Sequence, residues 1–189
     1  MSKRDALRSL SAKFPAPREL KDIFDTLEHD APRSVAIIAG AIIEGMLERI
    51  IISHLKDKEP NLIGRLFKNK GPLSDFDSKI LIAHAFWIIT PADAEDLHRI
   101  KSVRNAFAHA TQKVTFDTPE ILSQLKETIS WNRILNDSEI EDHTKLFLSK
   151  MKGHDIFLIL SKVYCGYLNK VHIESAGTHL IHEKDFSGS

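Results

Sequence analysis

Between Pro32 and Leu55 the chain carries Val35, Ile38, Ala39, Ile42, Ile43, Met46, Leu47, Ile50 and Ile51 at helical spacing, while Ala36, Ile37 and Ala41 fill most of the other faces of the first half. That periodicity predicts one long helix. A helix apolar nearly all round is central to a core or lies against a second subunit. Every other element must therefore be something that can pack around it. Gly40 and Gly45 weaken such a helix by about 1 kcal/mol each relative to alanine, and close contact with a neighbouring helix is the natural reason for them. Glu44 is the exception, a carboxylate inside the apolar run.

The rest of the chain supplies helices to surround it. Leu20, Ile23, Phe24 and Leu27 share one face of a helix over about 18–29, and Asp30 with Pro32 reads as an N-cap followed by a first-turn proline. A short helix is expected at about 61–67. Ser74 with Asp77 resembles a capping box for a helix over about 75–88, whose Phe76, Ile80, Leu81, Ala83, Ala85, Phe86 and Trp87 cover a broad apolar face. Thr90, Pro91 and Asp93 repeat that logic for a helix over about 91–109. Asp117 with Glu120, and Phe116 with Ile121, read as a capping box and hydrophobic staple for a helix ending near Ile129, and Trp131 to Asp137 as a connection. Helices over about 138–151 and 154–173 follow. Gln112 to Thr115 is the one short stretch that suggests extended chain, and nothing shows the sustained alternation of a sheet. The expectation is an all-α, single-domain bundle of about seven to eight helices over residues 18–174. A mobile N-terminal segment, 1–17, would precede it and a flexible C-terminal tail, 175–189, would follow.

Twenty-six Lys and Arg against 26 Asp and Glu give no net charge. A DNA-binding domain usually carries a basic excess, so strong nonspecific nucleic-acid binding is not expected. The single cysteine, Cys165, excludes an intramolecular disulfide and fits a reducing compartment. Its apolar surroundings suggest a packed thiol. No apolar run reaches bilayer-spanning length and no signal-peptide pattern opens the chain, which reads as cytoplasmic with no membrane contact. Ten histidines do not fall at metal-ligand spacing: His179 and His182 with Glu183 and Asp185 sit in the tail, His84 reads as a packed core histidine, and His98 as solvated. No phosphate loop, Ser-His-Asp set or zinc-finger spacing appears, so no cofactor and no metal is expected.

The chemistry concentrates in Ser102-Val103-Arg104-Asn105-Ala106-Phe107-Ala108-His109-Ala110. Leu97, Ile100, Arg104, Phe107 and Ala108 recur at helical spacing, so Arg104 stands where an apolar residue would be expected. A guanidinium stays charged and needs a partner when buried. Glu44 is the natural one, each charge lacking a partner nearby in sequence. Asn105 and His109 share a helix face, whereas Arg104 and His109 lie about 140° apart around the helix axis. Three readings stay open: a structural anchor, a binding pocket, or a ribonuclease site. In the last, His109 acts as general acid or base on a ribose hydroxyl or leaving oxygen, Arg104 stabilises transition-state charge and Asn105 orients the phosphate. One Arg and one His supply half of an acid–base pair, so that reading calls for two copies.

Two resemblances run through these residues. The Arg-Asn-x-x-x-His spacing of Arg104, Asn105 and His109 is similar to the signature of the HEPN superfamily, whose helical members are often dimeric, metal-independent ribonucleases. Gly71-Pro72-Leu73-Ser74-Asp75-Phe76-Asp77-Ser78-Lys79-Ile80, then Arg104 to Ala110, then Phe116-Asp117-Thr118-Pro119-Glu120-Ile121 stand in the order and rough spacing of the mannitol operon repressor (MtlR-like) family. This second resemblance covers about residues 30–130. It implies a transcription-regulatory protein. The segment 61–87 offers a turn near Gly71 suited to a helix-turn-helix, but its second helix is dominated by Phe, Trp and Ile, a core face and not a recognition helix. Regulation through a protein partner, without direct DNA binding, is the leading expectation, with a HEPN-type ribonuclease acting on RNA as the alternative. A homodimer is implied by both resemblances and by the apolar helix at 32–55.

Overall fold

The computed structural model describes residues 15–68 and 70–185, the side chains of Pro17 and of 175–185 excepted. The expected N-terminal segment therefore lies, through residue 14, outside the described residues. So do residues 186–189 and the side chains of His179, His182, Glu183 and Asp185. Among the described residues there are nine helices and no strand: α1 Pro17–Leu27, α2 Pro32–His54, α3 Pro60–Phe67, α4 Phe76–Ala85, α5 Pro91–His109, α6 Pro119–Lys126, α7 Ile129–Leu135, α8 Asp142–Ser149 and α9 Gly153–Asp185. The fold is an all-α bundle, and Gln112 to Thr115 is irregular.

The apolar helix is central, as its composition requires. α2 packs against α9, α5, α4 and α1, and Val35, Ala36, Ala39, Ile43, Leu47, Ile50 and Ile51 are buried among them. α9 contributes Ile156, Phe157, Leu160, Tyr164 and Leu168, and α5 contributes Leu97, Ile100, Val103 and Phe107. Phe116, in the loop after α5, bridges the two: its ring centroid lies 4.5 Å from that of Phe107 and 4.9 Å from that of Phe157. α9 starts where a side chain could not. A Cβ on Gly153 would meet the Phe116 carbonyl oxygen at 2.2 Å, and the Gly153 amide donates to Asp117 Oδ1 at 2.8 Å.

That last bond is one of several places where helix ends differ from local expectation. Asp117 is engaged with α9, so α6 starts at Thr118 with no side-chain cap. Asp75, not Ser74, caps α4, accepting from the Ser78 amide at 2.9 Å. Ala31, not Asp30, holds the N-cap position of α2. Thr90 and Asp93 do form the expected reciprocal box, at 3.1 and 3.2 Å. The segment expected as a connection is helix α7, with Trp131 fully buried. Its cause lies far away in sequence. Asp96 of α5 accepts from the amides of Ile129 at 2.7 Å and Ser130 at 2.8 Å, and from the Tyr164 hydroxyl at 2.9 Å. α9 continues to Asp185 instead of ending near 173, since no proline interrupts it and Gly177 alone is a weak break.

α4 also ends early, at Ala85, and its last turn departs from expectation most. The Trp87 amide donates to the His84 carbonyl at 2.9 Å and the Ile88 amide to the Ala83 carbonyl at 2.9 Å. This pair of bonds is a Schellman cap. It sets Trp87 at φ 56°, the left-handed region where glycine is usual. Leu81, Phe86 and Trp87, expected on the buried face, are 64%, 70% and 77% exposed. His84, expected in the core, is half-buried and lines an open cleft with His98, Arg99 and Ser102.

Candidate functional site

α2 and α5 run antiparallel past one another, with Arg33 against Ala110 and Gly40 packed tightly against Arg104. A Cβ at Gly40 would lie 2.8 Å from Arg104 Cγ and 3.2 Å from its Cβ. The missing side chain is what lets the Arg104 stem lie against α2. From there its Nη2 reaches to 3.7 Å of Glu44 Oε2, one turn further along α2. Its Nη1 donates to Asn105 Oδ1 at 2.9 Å, and its Nε is buried without an acceptor.

Glu44 has a second and closer partner. Lys79 Nζ donates to Glu44 at 2.8 Å and lies 3.0 Å from Glu48. Lys79, which the sequence pattern does not single out, is 4% exposed. Its signal was present: it sits three residues after Phe76 and beside Ile80, on the stripe that α4 turns toward α2. Burial pulls its pKa down, but hydrogen bonds to Glu44 and then Glu48 outweigh that, and the net shift is upward. The outcome is a network of two cations and two carboxylates spanning α2, α4 and α5, neutral in sum. A second small network lies beside it on the surface, where Asp77 takes both Lys101 and, at 3.1 Å, His98 Nδ1. The Lys101 hydrogen bond holds the Asp77 carboxyl below the usual range.

His109 stands apart from these groups. It is the last residue of α5, exposed, with no hydrogen-bond or ion-pair partner among the described residues. An imidazole there faces the negative end of the helix dipole. Nearby, Arg33 of α2 donates to the Ala110 carbonyl at 2.5 Å and ties the end of α5 down. Ala108, expected on the core stripe, is exposed, and Val103 takes the inward position instead. Thus Arg104, Asn105 and Glu44 are brought together, while His109 joins neither group. The cleft between α1 and α9, the one beside His84 and His98, and the one around α3 are lined by residues other than Arg104, Asn105 and His109.

Chemically, the cluster can hold two helices at fixed separation and present one edge of a guanidinium to solvent. Groups of three or more His, Cys, Asp or Glu placed to hold a metal ion do not occur among the described residues. Cys165 is buried and its thiol is pushed up to about 12 by desolvation. That excludes a nucleophilic thiolate at neutral pH. No helix among the described residues is long and apolar enough to cross a membrane. No family model, curated protein or solved structure matches the chain.

Proposed function

We propose that this chain is a regulatory protein of the mannitol operon repressor kind, self-associating and acting through a protein partner. The observation that carries this reading is the engagement of Arg104. Two of its nitrogens face Glu44 and Asn105, and both carboxylates of the cluster are shared with Lys79. A phosphate-stabilising guanidinium must be free to meet developing charge. An acid–base catalyst must lie within hydrogen-bond reach of the reacting groups, and among the described residues of one copy His109 makes no hydrogen bond or ion pair with Arg104 or Asn105. α2 also leaves Ile37, Ile38 and Ala41 exposed, apolar side chains of the kind partners cover.

The test sets this reading against the HEPN-type ribonuclease. Purified wild type and His109→Ala are incubated with total RNA and tRNA in EDTA. No cleavage by either is expected, and the substitution is expected to change stability by less than about 0.5 kcal/mol, as for an exposed side chain without partners. Metal-independent cleavage by wild type, lost in His109→Ala, would overturn the regulatory reading. For the partner surface, Ile37→Glu/Ile38→Glu is expected to abolish self-association or partner binding without loss of helical circular dichroism.

A further inference from the structure

The chain is neutral as a whole, yet its charge is unevenly spread. Between Lys56 and Lys70, five Lys and Arg stand against two acids, Asp57 and Glu59. Both acids are engaged with backbone. Asp57 Oδ1 accepts from the Glu59 amide at 2.9 Å, and the Glu59 carboxylate accepts from the amides of Asn61 at 3.3 Å and Leu62 at 3.2 Å, capping α3. The start of α3 is thus closed to an outside anion. The cations beyond it are not engaged. Among the described residues the exposed side chains of Arg65, Lys68 and Lys70 make no hydrogen bond or ion pair.

These three line one cleft of about 580 Å³ whose wall holds no carboxylate. The cleft beside His84 and His98 is the contrast, since its Arg99 is held by Glu95 at 3.2 Å and Glu127 at 2.9 Å. The helix dipole accounts for cations near the end of α3, Arg65 and Lys68 among them. It does not account for Lys70, past that end and held at φ 68°, where glycine is usual. The turn that carries it is pinned. The Gly71 amide donates to the Lys68 carbonyl and the Leu73 amide to the Leu66 carbonyl, each at 2.9 Å, and a Cβ on Gly71 would meet the Arg65 carbonyl oxygen at 2.2 Å. Gly64 forms part of the wall, and nothing lies within 4 Å of where its Cβ would stand. A glycine inside a helix weakens it relative to alanine, and no neighbour in this chain needs the space. Bare backbone suits the close approach of a ligand.

We infer that this cleft binds a phosphate monoester, free or carried on a protein side chain. Such a group gathers nearly two negative charges and three acceptor oxygens into one small volume. A guanidinium fork and two ammonium groups in a single cleft match that density, whereas the carboxylates of an acidic peptide are spread along a chain. Nucleic acid fits less well, because no aromatic ring lines the cleft for a base to stack on. The volume is that of a small-ligand site. The inference depends neither on the regulatory reading nor on self-association.

The full chain is titrated by calorimetry at constant ionic strength and about pH 7.5, where the phosphate is mostly dianionic. The probes are glycerol phosphate, a phosphoserine peptide, the same peptide unphosphorylated, acetate, and a DNA oligonucleotide without terminal phosphates. The two phosphate monoesters are expected to saturate one site with Kd below about 1 mM, and the other probes to give no saturable heat. Arg65→Gln/Lys68→Gln is expected to weaken binding by about ten-fold or more. Gly64→Leu, which fills the cleft from an open position and keeps every cation, should do the same. Lys150→Gln/Lys152→Gln removes equal charge from another exposed stretch and should leave binding unchanged. Circular dichroism and thermal melts confirm that each variant folds. Absence of saturable binding by both monoesters overturns the inference, as does acetate or the oligonucleotide binding as tightly as they do. Binding untouched by Gly64→Leu, or weakened equally by the Lys150 and Lys152 substitutions, also overturns it, since the attraction would then be general and not that of this cleft. Tighter binding of the phosphoserine peptide than of glycerol phosphate upholds the site and assigns it a protein-borne phosphate; the reverse order upholds it with a free one.

Discussion

Trp87 and Lys79 stand eight residues apart on α4 and its cap, yet each breaks a local rule in the opposite sense: an aromatic outside, an ammonium inside. Trp87→Gly removes the left-handed penalty, and the expected gain is about 1 kcal/mol, or about 2–4 °C in Tm for a chain of this size. A thermal melt checks it. Lys79→Met leaves Glu44 with only Arg104, at 3.7 Å, and takes from Glu48 its cation. The expected loss is roughly 3 kcal/mol by urea denaturation, because an uncompensated buried charge costs more than a complete pair contributes. Adding Glu44→Gln to that variant should recover part of the loss, which a double-mutant cycle would read as coupling. The polar cluster was half legible in the sequence. Glu44 and Arg104 each interrupt an apolar stripe, and that alone brings them together. Lys79 interrupts its stripe just as plainly, but a lysine at a helix edge so often reaches water along its own stem that the pattern does not announce a buried one.

Among the elements, α7 depends most on a distant residue. Three donors converge on Asp96: two amides opening α7 and the hydroxyl of Tyr164. Asp96→Ala leaves all three without that acceptor, although Ser130 Oγ remains 3.1 Å from the Tyr164 hydroxyl. The cost is expected at about 3 kcal/mol, and hydrogen exchange should show the amides of residues 129–135 losing protection before those of α2. The local signal for this helix is only Thr128, whose hydroxyl accepts from the Trp131 amide at a long 3.4 Å, while the two stronger acceptor bonds come from a residue 33 positions earlier. Conversely, the Thr90–Asp93 box was legible because both partners lie within one turn. Long helices declared themselves through periodicity, and the short α3 and α6 through turn and cap signals nearby in sequence, whereas α7 draws its main acceptor bonds from the assembled bundle.

For the whole molecule, the pH dependence follows from which charges are held. The Ser78 hydrogen bonds lower the Asp75 carboxyl, that of Lys101 lowers Asp77, and that of Lys162 lowers Glu28. Groups depressed in the folded state contribute stability above their ordinary values, and it is lost as pH falls through the lowered ones. Lys79, raised overall after burial opposes its bonds to Glu44 and Glu48, works the other way. Its contribution is complete below the ordinary lysine value near 10.4 and disappears as pH climbs through the raised one. Melting temperature should therefore decline on both sides of a plateau: on the acid side from about pH 6.5, where burial of His172 disfavours its protonation before the carboxylates titrate, and on the alkaline side above about pH 8.5, where burial holds Cys165, Tyr164 and Tyr167 neutral. Lys79→Met should remove one part of the alkaline decline, the part due to Tyr164, Cys165 and Tyr167 remaining, and leave the acidic one in place.

The pairing of α2 with α9 also governs the order in which the molecule can be made. These helices share the largest contact in the bundle, and α9 opens 99 residues after α2 ends, at Gly153 against His54. On the ribosome, α2 emerges many seconds ahead of the helix that covers it, at about 5–20 residues per second. Throughout that interval the side of α2 that α9 covers stays open, α1, α4 and α5 covering only the others, so a nascent chain halted before residue 153 should bind holdase chaperones and be cleaved readily by protease. Release of the remaining residues should end both behaviours together.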